Sequence, residues 1–215
     1  MESSLNKYLK AHSSVPSEML SWLEKQTHLR TNYGRMLSGS VQGELLKLLV
    51  EISGAQRILE IGSFTGYSST CMALGLKEGG SIDALELNDE LEDLMREAWE
   101  KAGVEDKINL HIGDASKTLE SFADRLHYYD FVFIDANKRE YSRYYDLVFP
   151  LVKVGGIIVA DDVLWDGKVL EEIPSKDAQT QGLLQFNDMV AEDRRVEKVM
   201  IPLRDGLTII VKKSD

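Results

Sequence analysis

From Arg57 onward the chain alternates short apolar, β-rich runs with amphipathic stretches, and this alternation limits its possible folds more than any other feature. The runs are RILEI (57–61), SIDALE (81–86), KINLHI (107–112), YDFVFID (129–135) and GGIIVAD (155–161). Stretches of helical spacing fall at roughly 67–76, 89–102, 115–124 and 139–149. Asn88 is placed to cap the second of these and Gly103 to end it. Strands that are apolar on both faces and joined by helices build a parallel sheet covered on both sides. The pattern predicts a doubly wound α/β fold.

Both ends of the chain depart from this rhythm. Residues 1–53 read as helical: Met19, Leu20 and Leu23 recur at helical spacing, as do Leu45, Leu46, Leu48, Leu49 and Ile52, and Gly54 closes the second of these helices. At the other end, RVEKVMIPL (195–203) and LTIIVKK (207–213) flank Arg204-Asp205-Gly206, and Asp-Gly between apolar runs is a hairpin signal. The last strand should therefore enter antiparallel. Five parallel strands closed by such a hairpin predict a mostly parallel, seven-stranded, Rossmann-like sheet, an arrangement that resembles the sheet of class I methyltransferases. Without repeats or a linker, 1–215 is expected to be one domain, with a helical cap (1–53) on a Rossmann-like core (54–215).

Composition narrows the surroundings. Apolar runs as short as Ile157–Ala160 cannot span a bilayer, and MESSLNKYLK has no signal-peptide pattern. A single Cys71 suits a reducing compartment, so a cytoplasmic location is expected. A net charge of -11 disfavours nucleic acid and anionic membranes as partners.

In doubly wound sheets ligands bind at the carboxyl ends of the strands. The first strand runs into Glu60-Ile61-Gly62-Ser63-Phe64-Thr65-Gly66-Tyr67-Ser68, whose glycines allow close approach of the backbone but lack the central glycine of the dinucleotide fingerprint. A pyrophosphate here would face the Glu60 carboxylate, whereas the sulfonium and ammonium of S-adenosylmethionine are positive and suit it. A helix-side ion pair is the other reading of Glu60. Glu86, ending the second strand, is placed to accept hydrogen bonds from ribose hydroxyls, a feature NAD enzymes share. Asp114 and Ala115 are placed to flank an adenine.

Two later strands end in acid, at Asp135 and at Asp161-Asp162. Carboxylates gathered at one sheet edge repel one another unless a cation neutralises them, and hard oxygen donors point to Mg²⁺, with Mn²⁺ or Ca²⁺ as alternatives. The competing reading makes Asp161 or Asp162 a turn cap. No two of the four histidines are spaced as zinc ligands. Lys138, three residues past Asp135, is either a solvated charge or a general base whose pKa a nearby cation lowers from ~10.4. In the second case it deprotonates a phenol-like hydroxyl, and the oxyanion attacks the sulfonium methyl in line.

The motifs Met36-x-Ser38, LEIGSFTGYS, IDANKREY (134–141), ADDVLWDGKV (160–169) and PLRDGLTI resemble the cation-dependent O-methyltransferases of the caffeoyl-CoA and catechol type, from about Met36 to the C-terminus. The resemblance implies that Met36, Ser38, Glu60, Gly62, Ser68, Glu86, Ala115 and Asp135 contact S-adenosylmethionine. It assigns Asp135, Asp161 and Asp162 to the metal, Lys138 as base and Trp165 as an aromatic wall of the substrate pocket, where the other reading of Trp165 is core packing. It also implies a homodimer. Asp162 stands where the family usually has Asn, and Asn137 where Asp is common. The expected substrate is a small vicinal-dihydroxy aromatic. A hydroxylated uridine of transfer RNA is the alternative within the family, and an NAD-linked dehydrogenase the alternative outside it.

Overall fold

The structure, a computed structural model, describes residues 4–171 and 176–215. The chain divides into two compact units. One takes the chain up to Ala55 together with Ser63–Ile82 and Asn88–Asn109, and the other takes Gln56–Gly62, Asp83–Leu87 and Leu110–Asp215. The stretch expected to form a helical cap thus shares its unit with two later segments.

The first unit holds helices α1 (Ser4–Ala11), α2 (Glu18–Arg30), α3 (Ser40–Ser53), α4 (Tyr67–Gly75) and α5 (Glu92–Ala102). The Ser17 hydroxyl caps α2 by accepting from the Leu20 amide. Gly54 ends α3 and Gly103 ends α5, each in the left-handed conformation expected of a terminating glycine. The helical reading of 1–53 is interrupted twice among the described residues, at 12–17 between α1 and α2 and at 31–39, where only a 3-10 turn forms, over Gly34–Met36. Leu20 and Leu23 of α2, Tyr67 and Cys71 of α4, and Leu94 and Ala98 of α5 form this unit's apolar core. Each of these leucines contributes on the order of 1.5–3 kcal/mol when fully buried.

Seven strands follow: β1 (Arg57–Ile61), β2 (Ser81–Glu86), β3 (Ile108–Ile112), β4 (Tyr129–Ile134), β5 (Val152–Asp161), β6 (Val196–Ile201) and β7 (Leu207–Lys212). They form one sheet in the order β3-β2-β1-β4-β5-β7-β6. β1 pairs parallel with β4, and β4 with β5. β7 runs antiparallel to both β5 and β6, as the Asp-Gly hairpin requires. The second unit adds α6 (Ala115–Ser121), α7 (Tyr141–Val148) and α8 (Ala178–Glu192). Its core joins Leu59, Val132, Ile158 and Ile210 of the strands to Tyr145, Leu183 and Phe186 of the helices. Among the described residues no helix is long and apolar enough to cross a membrane.

Candidate functional site

In the second unit, backbone hydrogen bonds hold the strand ends side by side. The Gly62 amide donates to Leu85, the Gly113 amide to Glu86 and the Asp135 amide to Ile61, at 2.9, 2.8 and 2.9 Å. The ends of β1, β2, β3 and β4 are therefore fixed in one row, with Glu60, Glu86, Asp114 and Asp135 along it. Glu60 is fully buried and Glu86 nearly so, which is unusual for carboxylates and costs several kcal/mol unless a positive or donor group answers them. Asp114 is exposed and caps α6, accepting from the Lys117 amide at 3.0 Å. Ala115 packs on the core beside Ser116, whose buried hydroxyl has no protein partner. Buried acids, a small residue and an orphaned hydroxyl along one row suit a polar adenosyl ligand.

Gly62 serves a purpose the sequence did not reveal. Its φ is 89°, and a Cβ there would overlap the carbonyl oxygen of Asp135. The glycine lets the end of β1 press against the end of β4, which sets where Asp135 sits.

Met36, Ser38 and Ser68 belong to the first unit. Met36 ends the 3-10 turn and is 57% exposed, Ser38 is buried just ahead of α3, and Ser68 is buried in the first turn of α4.

The second unit brings Asp135, Lys138, Asp161, Asp162 and Trp165 together. The Lys138 ammonium donates to Asp135 Oδ1 at 2.7 Å and to the Tyr141 hydroxyl at 2.8 Å, and lies 2.9 Å from Asp162 Oδ2. The Tyr141 hydroxyl donates to the Asp161 carbonyl at 3.0 Å. Asp161 Oδ1 accepts from the Asp162 amide at 2.8 Å, and the left-handed backbone of Asp162 (φ 56°) turns its carboxylate toward Lys138. The turn of the C-terminal hairpin clamps this segment: the Val163 amide donates to Gly206, and the Leu164 amide to Asp205, at 3.2 and 2.7 Å.

Burial alone would lower the Lys138 pKa, but the charges of Asp135, Tyr141 and Asp162 outweigh it and hold the ammonium well above its ordinary value. The lowered pKa expected beside a cation is opposite to what the chain's own groups produce. Burial pushes the Asp135 carboxyl up, and Lys138 pulls it back only in part.

The residue types suit a hard cation: the Asp135 and Asp162 carboxylates both face the Lys138 ammonium, so negative charge is in excess there, and the Asp161 carboxylate adjoins them through the Asp162 amide. Among the described residues, however, no three acidic or histidine side chains already form a cage that could hold a metal ion.

Trp165 packs against the core, and Lys138 lies 5.9 Å from its ring centroid. Its indole N–H donates to Asp177 Oδ2 at 3.4 Å, and Lys168 both pairs with Asp177 and lies 5.7 Å from the ring. Residues 172–175, a few positions beyond Trp165, lie outside the described residues. Asn137 is exposed and caps the 3-10 turn Lys138–Glu140. The sequence reading assigned no role to Tyr141 or Asp177; an i, i+3 Lys-Tyr pair and an Asp heading a helix were the signals available.

A family model described as O-methyltransferase matches residues 10–213. Probable caffeoyl-CoA O-methyltransferase 1 of Dictyostelium discoideum is 38% identical over 179 residues, covering 82% of this chain and 78% of that protein. Caffeoyl-CoA O-methyltransferase of Populus kitakamiensis is 34% identical, covering 95% of this chain and 92% of its own length. Among solved structures, the O-methyltransferase from Bacillus cereus in complex with SAH superimposes with a TM-score of 0.90 at 29% identity, with 98% of each chain covered. A family model spanning nearly the whole chain, curated relatives above 30% identity and a close structural superposition lead to one conclusion: this chain belongs to the O-methyltransferase family.

Proposed function

We propose that the chain transfers the methyl group of S-adenosylmethionine to one hydroxyl of a small vicinal-dihydroxy aromatic, of catechol or caffeoyl type, with the help of a divalent cation, Mg²⁺ first among the candidates. The observation that carries this reading is the Lys138 ammonium held between the Asp135 and Asp162 carboxylates, in the same unit as the row of buried acids at the strand ends. Holding a cofactor alone requires no such cluster.

In this reading Glu60 and Glu86 receive the cationic and ribose parts of the cofactor, with Gly62, Ala115 and Asp135 beside them, and the family resemblance adds Met36, Ser38 and Ser68 to the cofactor's contacts. Asp135, Asp161 and Asp162 are the groups that would hold the cation, which supplies Lewis acidity toward the substrate oxygen when bound. The chain's own groups hold Lys138 as an ammonium, and the charge of a bound cation would be what lowers its pKa and frees the amine, steadied by Tyr141, to take the hydroxyl proton. Trp165 forms an apolar wall for the ring. The names of the Dictyostelium and Populus relatives point to the same acceptor class.

We also assign a homodimer and a cytoplasmic location. Leu48 and Ile52 of α3 and Leu5 and Tyr8 of α1, all exposed, are apolar surface that a second copy can cover. Light scattering on the purified protein decides the oligomeric state.

The deciding experiment is methyl transfer to caffeoyl-CoA, caffeate and dihydroxybenzoate, with Mg²⁺ and with excess chelator. Turnover abolished by chelator is the expected result. Turnover that chelator leaves intact overturns the metal, and turnover of undermethylated transfer RNA alone overturns the substrate class.

A further inference from the structure

Helix α2 is connected to the glycine loop through two hydroxyls. Thr27, in the last turns of α2, and Thr65, between Phe64 and Gly66, are both fully buried, and their Oγ1 atoms lie 2.8 Å apart. Thr27 Oγ1 also donates to the Leu23 carbonyl at 2.9 Å. A hydroxyl has one hydrogen, so Thr27 has none left to give, and Thr65 must be the donor of the pair. A hydroxyl on α2 is thus the acceptor that satisfies the loop.

That loop has a backbone needing support. Phe64 is left-handed at φ 50°, a conformation that costs a non-glycine residue on the order of 1–2 kcal/mol. Gly66, at φ 82°, donates its amide to Ser63 at 2.8 Å, and its carbonyl accepts from the Thr70 hydroxyl at 2.6 Å. Behind Gly66 stands Trp99, so close that a Cβ on the glycine would lie 2.8 Å from the indole nitrogen. On the α2 side, Leu20 and Leu23 pack with Tyr67 and Cys71, which fixes the height of Thr27 along the loop.

We propose that Thr27 is a positioning residue for the cofactor: by accepting from Thr65 it holds the 63–66 loop in its strained form and couples α2 to cofactor binding. This rests on the reading that residues 62–68 contact S-adenosylmethionine. Coupling of this kind is reciprocal: if α2 holds the loop for the ligand, the ligand must stabilise α2.

Thr27→Val keeps the shape and removes the acceptor, leaving the buried Thr65 hydroxyl without its partner. S-adenosylhomocysteine, titrated calorimetrically, is expected to bind this variant about tenfold more weakly, a loss of the size a single buried hydrogen bond gives. Thr27→Ser, which retains the oxygen, restores the affinity to within about twofold of the wild type. Hydrogen exchange supplies a readout that loss of overall stability does not reproduce. In Thr27→Val, amides of 63–66 exchange faster while those of β4 and β5 keep their wild-type rates. In the wild type, S-adenosylhomocysteine slows exchange along α2.

A folded Thr27→Val protein with wild-type affinity overturns the proposal, as does a Thr27→Ser variant as weak as the valine. Unchanged α2 exchange on ligand addition to the wild type overturns it without any variant. A wild type that binds no S-adenosylhomocysteine overturns the cofactor reading itself, and this proposal with it.

Discussion

Tyr141→Phe tests whether the Lys138 cluster is built as described. The ammonium has three hydrogens and three oxygen partners, Asp135, Tyr141 and Asp162, at 2.7, 2.8 and 2.9 Å. Lys138 is only 4% exposed, so a hydrogen freed by the substitution finds little water to replace its partner. An unmet hydrogen bond to a charged group costs about 1.5–3 kcal/mol. The Asp161 carbonyl also loses the tyrosine as donor, adding about 1 kcal/mol. Because one atom makes both contacts, the two terms overlap, and a total of about 2–4 kcal/mol is expected. At about 2–4 °C per kcal/mol for a chain of this size, the melting temperature should fall by roughly 10 °C. Tyr145→Phe is the matched control. It is also on α7, but its hydroxyl donates to an Asp193 carboxylate that keeps three donors from Arg195, so nothing is left orphaned and deletion costs about 1–1.5 kcal/mol. Urea unfolding of both variants measures the difference. Equal losses within about 0.5 kcal/mol would refute the claim that Tyr141 completes the coordination of a buried ammonium.

Three further expectations are independent of that one. Asp193 is held at about 2, chiefly by hydrogen bonds from the Arg195 side chain, so its contribution is fully present above the ordinary carboxylate pKa and is lost as pH falls toward 2. After allowance for solvent screening this amounts to about 1 kcal/mol, and urea unfolding between pH 6 and 2.5 should show a shallower acid loss in Asp193→Asn; parallel curves exclude it. Asp177→Ser keeps a residue able to cap α8 but removes the oxygen that holds the Trp165 indole. Amide exchange across Trp165–Leu170 should then quicken more than that of α8, whose Thr180 hydroxyl loses the same acceptor oxygen, and equal quickening in both means that Asp177 acts only on α8. Gly62→Ala places a Cβ against the Asp135 carbonyl at a positive φ, and should cost about 3 kcal/mol or more by calorimetry; a loss below about 1 kcal/mol shows that the two strand ends are not packed as described.

What could be read from the sequence depended on the kind of signal each part carries. The strands were legible because central strands of a parallel sheet are apolar on both faces, as in RILEI and YDFVFI. The hairpin was legible because Asp-Gly is local turn chemistry; that its turn also clamps Val163 and Leu164 was not, because that contact joins segments some 40 residues apart. Asp135, Lys138, Asp161 and Asp162 could be placed at one edge of the sheet because strand ends share that edge. The direction of the Lys138 pKa could not be foreseen, since it depends on distances that only the folded chain fixes. Asp114 was read only as a flank to an adenine; that its side chain caps α6 was not foreseen.

Helix α8 shows the limit most clearly, and the reason connects directly to the site. The sequence reading contains no helix at 178–192: its buried apolar residues are few (Leu183, Phe186 and Val190), its other faces are polar, and Gly182 falls in its first half. A glycine inside a helix costs about 1 kcal/mol relative to alanine, so local preference argues against the helix there. Packing explains the residue. A Cβ at Gly182 would overlap the carbonyl oxygen of Lys138 and the Cα of Arg139, so the glycine allows α8 to rest directly on the backbone that carries the lysine. On propensity alone Gly182→Ala should gain about 1 kcal/mol. Because the obstruction is backbone and cannot rotate away, the steric term wins: a net loss of about 1–3 kcal/mol is expected by urea unfolding. A stabilised Gly182→Ala protein would mean that α8 does not bear on Lys138, and the glycine would then be only a weak point in the helix.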